Sequence, residues 1–78
     1  MATVRYFAAA RAAAGATDEQ IAAASLKELV DALAERHPAL ARILPACSYL
    51  VDGLASREPT TALHDASTVD VLPPFAGG

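Results

Sequence analysis

The residues best suited to chemistry stand at the end of the chain: Pro73-Pro74-Phe75-Ala76-Gly77-Gly78. Two prolines stiffen the approach, because each ring fixes φ and removes a backbone donor. Two glycines follow, and without side chains they can enter a channel too narrow for other residues. Ordering them costs entropy, so Gly-Gly makes a poor structural tail. Fully extended, the six residues span at most ~20 Å. A frayed end or a cloning scar would be inert, but a scar rarely follows Pro-Pro-Phe directly after a final strand. The expectation is an arm, residues 73–78, that presents the carboxylate of Gly78. Other reactive residues offer less. Cys47 lies between Ala46 and Ser48, with no local Lys, His or helix start to lower its pKa, and reads as buried filler. His37 and His64 lack ligand spacing with Cys47, so no metal site is expected. Asp65 and Asp70 read as turn and surface residues.

An arm needs a body to position it. Thr3 to Phe7 has the β-branched and aromatic content of a strand, with Val4 and Tyr6 on one face and Arg5 and Phe7 on the other. Ala8 to Ala14 reads as a wide turn holding one helical turn, ended by Gly15. Asp18 to Ala24 reads as a poor edge strand. Ser25 and Glu28 form a capping box. Leu26, Leu29, Val30, Leu33 and His37 then follow at helical spacing, and Pro38 closes the helix. Leu40, Ile43 and Leu44 suggest a short helical piece ended by Pro45. Ser48 to Asp52 and Thr68 to Leu72 read as strands, and Leu54 to Thr61 holds at most a short edge strand. This order predicts an α+β fold of β-grasp type: a mixed sheet of four to five strands with one main helix across one face. The β-grasp domain is residues 1–72. The uncovered face should carry Arg5, Phe7, Leu50 and Leu72. Three large apolar side chains exposed together would make an interaction patch.

Composition narrows the function. Hydrophobic residues are 54% of 78, but 20 are alanine, which leaves 22 larger apolar side chains. That closes one small core and excludes most self-contained enzyme architectures. Net charge is −3, and the one lysine and five arginines form no basic run, so nucleic acid is not an expected partner. A small domain with one cysteine fits a reducing compartment, and no stretch matches a membrane span or secretory signal. A soluble cytoplasmic protein is expected.

The ending Leu72-Pro73-Pro74-Phe75-Ala76-Gly77-Gly78 resembles the sulfur-carrier family of ubiquitin-like proteins. Val4-Arg5-Tyr6-Phe7-Ala8-Ala9-Ala10-Arg11, then Gly15, is similar to the first strand and wide turn of its molybdopterin-synthase branch. Leu50-Val51-Asp52-Gly53 stands where that branch has a strand ending in Asn-Gly; aspartate also tolerates turns. Asp65-Ala66-Ser67-Thr68 replaces the usual Asp-Gly-Asp/Glu turn, which leaves the local register open. The resemblance implies that Gly78 is adenylated, then thiocarboxylated, and donates sulfur to a pterin precursor. It implies ATP used by an activating partner, with no cofactor bound stably. The implied partners are a ubiquitin-activating-like adenylyltransferase/sulfurtransferase and the molybdopterin synthase large subunit, in a heterotetramer. The large subunit would hold the catalytic residues. Arg11 could pair with a partner carboxylate near the arm, or be a solvated turn residue. Two alternatives stay open: a carrier for thiamine, cysteine or tRNA thiolation, and a ubiquitin-like modifier or interaction module.

Overall fold

In the computed structural model, residues 1–74 are described. Alternating burial makes β1 of Ala2–Tyr6. The strand starts one residue earlier than expected, because Ala2 pairs with Ile21. It stops at Tyr6, because Ala8 turns the chain at φ 50°, a value uncommon for a residue with a Cβ. Ala8–Ala14 is more ordered than a wide turn: Ala9–Ala14 forms helix α1, and Gly15 caps it at φ 71°. Strand β2, Asp18–Ile21, returns antiparallel along β1 and ends before Ala24.

Helix α2 spans Leu26–Arg36. The Glu28 N–H donates to Ser25 Oγ at 3.2 Å, and the Ala24 N–H donates to Glu28 Oε1 at 3.2 Å. The glutamate thus satisfies the donor one residue before the cap rather than that of Ser25 itself. The helix ends at Arg36, capped by His37 directly before Pro38 as expected, and Pro38 then opens a second helix, α3, Pro38–Ala41. Pro45 does not terminate the next piece. It sits in the first positions of a 3-10 turn, Leu44–Ala46, where its missing N–H costs nothing. Strand β3 is Ser48–Val51, β4 is Leu54–Ser56 and β5 is Thr68–Leu72. Asp52 (φ 50°) and Gly53 (φ 85°) form the β3–β4 hairpin turn, which leaves Asp52 outside the strand. The β4 ladder ends at Ser56, well short of Thr61.

The sheet order is β2-β1-β5-β3-β4, with β1 and β5 parallel and the other pairs antiparallel. One main helix over a mixed five-stranded sheet is the ubiquitin-like β-grasp fold. Leu26, Leu29 and Leu33 of α2 share the core with Val4, Tyr6, Tyr49, Val51, Val69 and Val71. Val30 is only half-buried at its edge. The open register at Ala66 has a simple solution. Residues 64–67 make a β-turn closed by the Ser67 N–H on the His64 carbonyl at 3.0 Å. Buried Ser67 Oγ accepts from the His64 N–H at 2.9 Å, so no positive φ and no glycine is required there. Among the described residues no helix is long and apolar enough to cross a membrane.

Candidate functional site

The parallel pairing of β1 with β5 decides where the chain leaves the sheet after its last strand. Both strands point the same way, so the end of β1 and the exit of β5 lie together. The last pair is Tyr6 with Val71, and Phe7 and Leu72 are the next residues of the two segments. Pro73 is buried and Pro74 exposed. Phe75, Ala76, Gly77 and Gly78 lie outside the described residues. Arg11 is exposed on α1 rather than in a loop, and its Nε donates to the Tyr6 carbonyl at 3.4 Å. The structure therefore brings Phe7, Arg11, Leu72 and Pro73 to one end of the sheet.

The face away from α2 is organised by an ion pair that was not expected. Asp70 is 8% exposed, not a surface residue. Register places it between Arg5 on β1 and Leu50 on β3. Arg5 donates to it twice, Nε to Oδ1 at 2.6 Å and Nη2 to Oδ2 at 2.9 Å. This bidentate geometry is the strong form of the pair. The hydrogen bond and charge of Asp70 raise the Arg5 pKa above its ordinary value. The guanidinium also stands 5.8 Å from the centroid of the Phe7 ring. Phe7, Leu50 and Leu72 are half-buried rather than exposed; the Arg5 guanidinium covers Phe7, and Leu50 stands across the ladder from Asp70. The face thus carries three half-buried apolar side chains around one pinned cation.

A second polar cluster escaped sequence reasoning. Glu19 of β2 points to the helix side, opposite Val4. It accepts from Tyr6 Oη at 2.6 Å, from Arg36 at 3.3 Å and from His37 Nε2. His37, expected as part of an apolar stripe, packs its ring edge-on against Tyr6, with centroids 6.1 Å apart. Partial burial would raise the Glu19 carboxyl, but hydrogen bonds from Tyr6, His37 and Arg36 outweigh it and hold it below the ordinary value. Burial, with the Glu19 hydrogen bond, pushes the Tyr6 phenol well up. The available signal was one glutamate in a poor edge strand and a histidine at the end of the helix stripe. Cys47 is buried, as expected for filler, and its Sγ donates to the Ile43 carbonyl at 3.2 Å. Burial raises its pKa, so it is a poor nucleophile. No group of three or more metal-ligating side chains gathers among the described residues.

Comparison with known proteins agrees with this architecture. The ThiS family model matches residues 4–78. No curated protein matches the chain. Among solved structures, small archaeal modifier protein 1 from Methanosarcina acetivorans is similar at 23% identity and TM-score 0.88, covering 99% of this chain and 95% of that one. A complex of subunits 1 and 2 of molybdopterin-converting factor from Helicobacter pylori matches at 27% identity and TM-score 0.76, covering 99% and 97%. The Amycolatopsis orientalis BexX/CysO complex matches at 22% identity and TM-score 0.82, covering all of both chains.

Proposed function

This chain belongs to the ThiS family, and on that premise we propose that it is the sulfur-carrying subunit of a molybdopterin synthase. One observation carries the reading furthest: β1 and β5 end together, so Phe7 and Leu72, next after the last pair Tyr6–Val71, stand at the end of the sheet where the chain runs on to Gly78. A partner that grips the face receives the arm at a fixed place. Beyond the buried Pro73, residues 74–78 would span at most ~17 Å into its pocket. The Helicobacter pylori complex of two converting-factor subunits supports a protein partner for such a domain.

The Gly78 carboxylate is a poor electrophile, because its charge repels nucleophiles. An activating partner would transfer AMP to it from ATP, releasing pyrophosphate. The outer sulfur of a persulfide then displaces AMP. A second thiol cleaves the resulting acyl disulfide and leaves a thiocarboxylate on Gly78. That sulfur is ionised at neutral pH and a soft nucleophile, suited to thiolating a pterin precursor in the large subunit. A dithiolene contains two sulfurs, so two carrier turnovers are needed per product. This chain supplies the reacting group, and the partner supplies the acids and bases.

Intact-mass measurement tests the first half. With ATP, a sulfur donor and the cognate activating enzyme, one oxygen-for-sulfur exchange at Gly78 is expected. No exchange, or full cellular function after deletion of Gly78, refutes the carrier role. Gly78-linked protein conjugates in lysates would instead make the chain a modifier. Complementation of a thiazole-synthesis strain but not a pterin-synthesis strain would assign it to the thiamine route.

A further inference from the structure

A groove of about 410 Å³ runs along the helix side of the molecule, away from Phe7, Leu50 and Leu72. Its walls are Leu26, Val30 and Ala34 of α2 on one side and Leu44, Cys47 and Tyr49 on the other. The polar side-chain atoms of these two walls are already used. Tyr49 Oη donates to the Leu44 carbonyl at 2.8 Å, and Cys47 Sγ donates to Ile43. Burial pushes the Tyr49 phenol up to about 12, so it stays neutral. The trough therefore offers an occupant apolar contact and no hydrogen-bond handle.

One end of the groove is charged. The Lys27 N–H donates to the Pro59 carbonyl at 3.0 Å, which holds the first turn of α2 against residues 57–59. Lys27 and Arg57 thus line the same end. Asp31 takes the Lys27 ammonium at 2.6 Å. Arg57 is exposed and has no ion-pair partner among the described residues. The lining holds two cations and one anion, on a chain of net charge −3. From Leu26 to Ala34 the helix rises ~12 Å, room for about four extended residues.

We propose that this groove docks a short linear segment of a partner protein, with leucine-type side chains in the trough and one carboxylate at Arg57. Tyr49 and Leu50 point to opposite faces of β3, so this segment and a partner on the sheet face bind together without competing. The docking stands independently of sulfur chemistry.

The test is an NMR titration of the full ¹⁵N-labelled chain with the acetylated, amidated tetrapeptides Leu-Ala-Leu-Glu and Glu-Leu-Ala-Leu, and with their lysine counterparts. At least one glutamate peptide should shift the amides of Val30, Ala34, Cys47, Tyr49 and Arg57, and the lysine peptides should bind more weakly. Arg57→Glu should weaken the glutamate peptide roughly fivefold and favour the lysine one. Val30→Asp should abolish binding, with amide dispersion recorded to show that the variant is folded. Both variants should still accept sulfur at Gly78 if the wild-type chain does. Absence of groove shifts, equal binding of both charges, or shifts confined to Phe7, Leu50 and Leu72 would overturn the proposal.

Discussion

Glu19→Gln tests whether the half-buried cluster at the β2 edge stabilises the fold. The carboxylate has a side-chain exposure of 19% and accepts from Tyr6, His37 and Arg36. The amide keeps the shape but loses the charge, and its NH₂ must face a donor. Hydrogen bonds to a charged partner contribute about 1.5–3 kcal/mol each when not exposed. The Arg36 bond is discounted, since that side chain is half exposed. The amide oxygen still receives the Tyr6 hydroxyl, so the net loss is about 2 kcal/mol, or roughly 10 °C in Tm for a domain of this size. The loss should depend on pH in one direction. The folded Glu19 pKa lies below its unfolded value of 4.5. Its contribution is therefore fully present above about pH 4.5 and disappears as pH falls through the folded value. Urea unfolding followed by far-UV circular dichroism from pH 7 to pH 3 measures both chains. The wild-type advantage should be constant near neutrality and shrink below pH 4.5. An advantage that is absent at pH 7, or unchanged down to pH 3, refutes the electrostatic account of the cluster.

Three further outcomes follow from the geometry. Ala8 holds φ 50° and ψ −124°, so Ala8→Gly should relieve more strain than it costs in unfolded-chain entropy and stabilise the protein by about 1 kcal/mol, read as a rise in Tm. Phe7→Ala and Leu72→Asp should each weaken binding to the partner that takes the arm, measured by calorimetry, while far-UV circular dichroism stays near wild type; parallel loss of both would make these residues core. Cys47, buried and with its thiol pKa raised, should be alkylated by iodoacetamide far more slowly in the native chain than in urea, as followed by mass spectrometry.

Much of the fold was legible because its signals are local. Ser25 with Glu28 marks the start of α2, Gly15 ends α1, and Gly53 marks the β3–β4 turn; each needs only its immediate neighbours. The alternation of Val4 and Tyr6, and of Val69 and Val71, identified the core face of two central strands. For the site, the same alternation put Arg5, Phe7, Leu50 and Leu72 on the other face, and family resemblance pointed to Gly78.

What the chain could not reveal by itself lies in the pairings. Asp70 reads as a surface residue until β5 lies beside β1, 65 residues away, and sets it against Arg5. Glu19 reads as the weakness of a poor edge strand until β2 folds back under His37 and Tyr6. A single charge in a strand is neutral information, because its cost or benefit depends on a partner chosen by sheet register. The sequence alone determined a small β-grasp body and, by resemblance, singled out the residues that follow its last strand. Only the tertiary structure decided that β5 ends at the same end of the sheet as β1, that the face holds a pinned arginine, and that an apolar groove with one charged end lies on the opposite side. Each of these follows from which strands are neighbours, and that depends on the closing of the whole core.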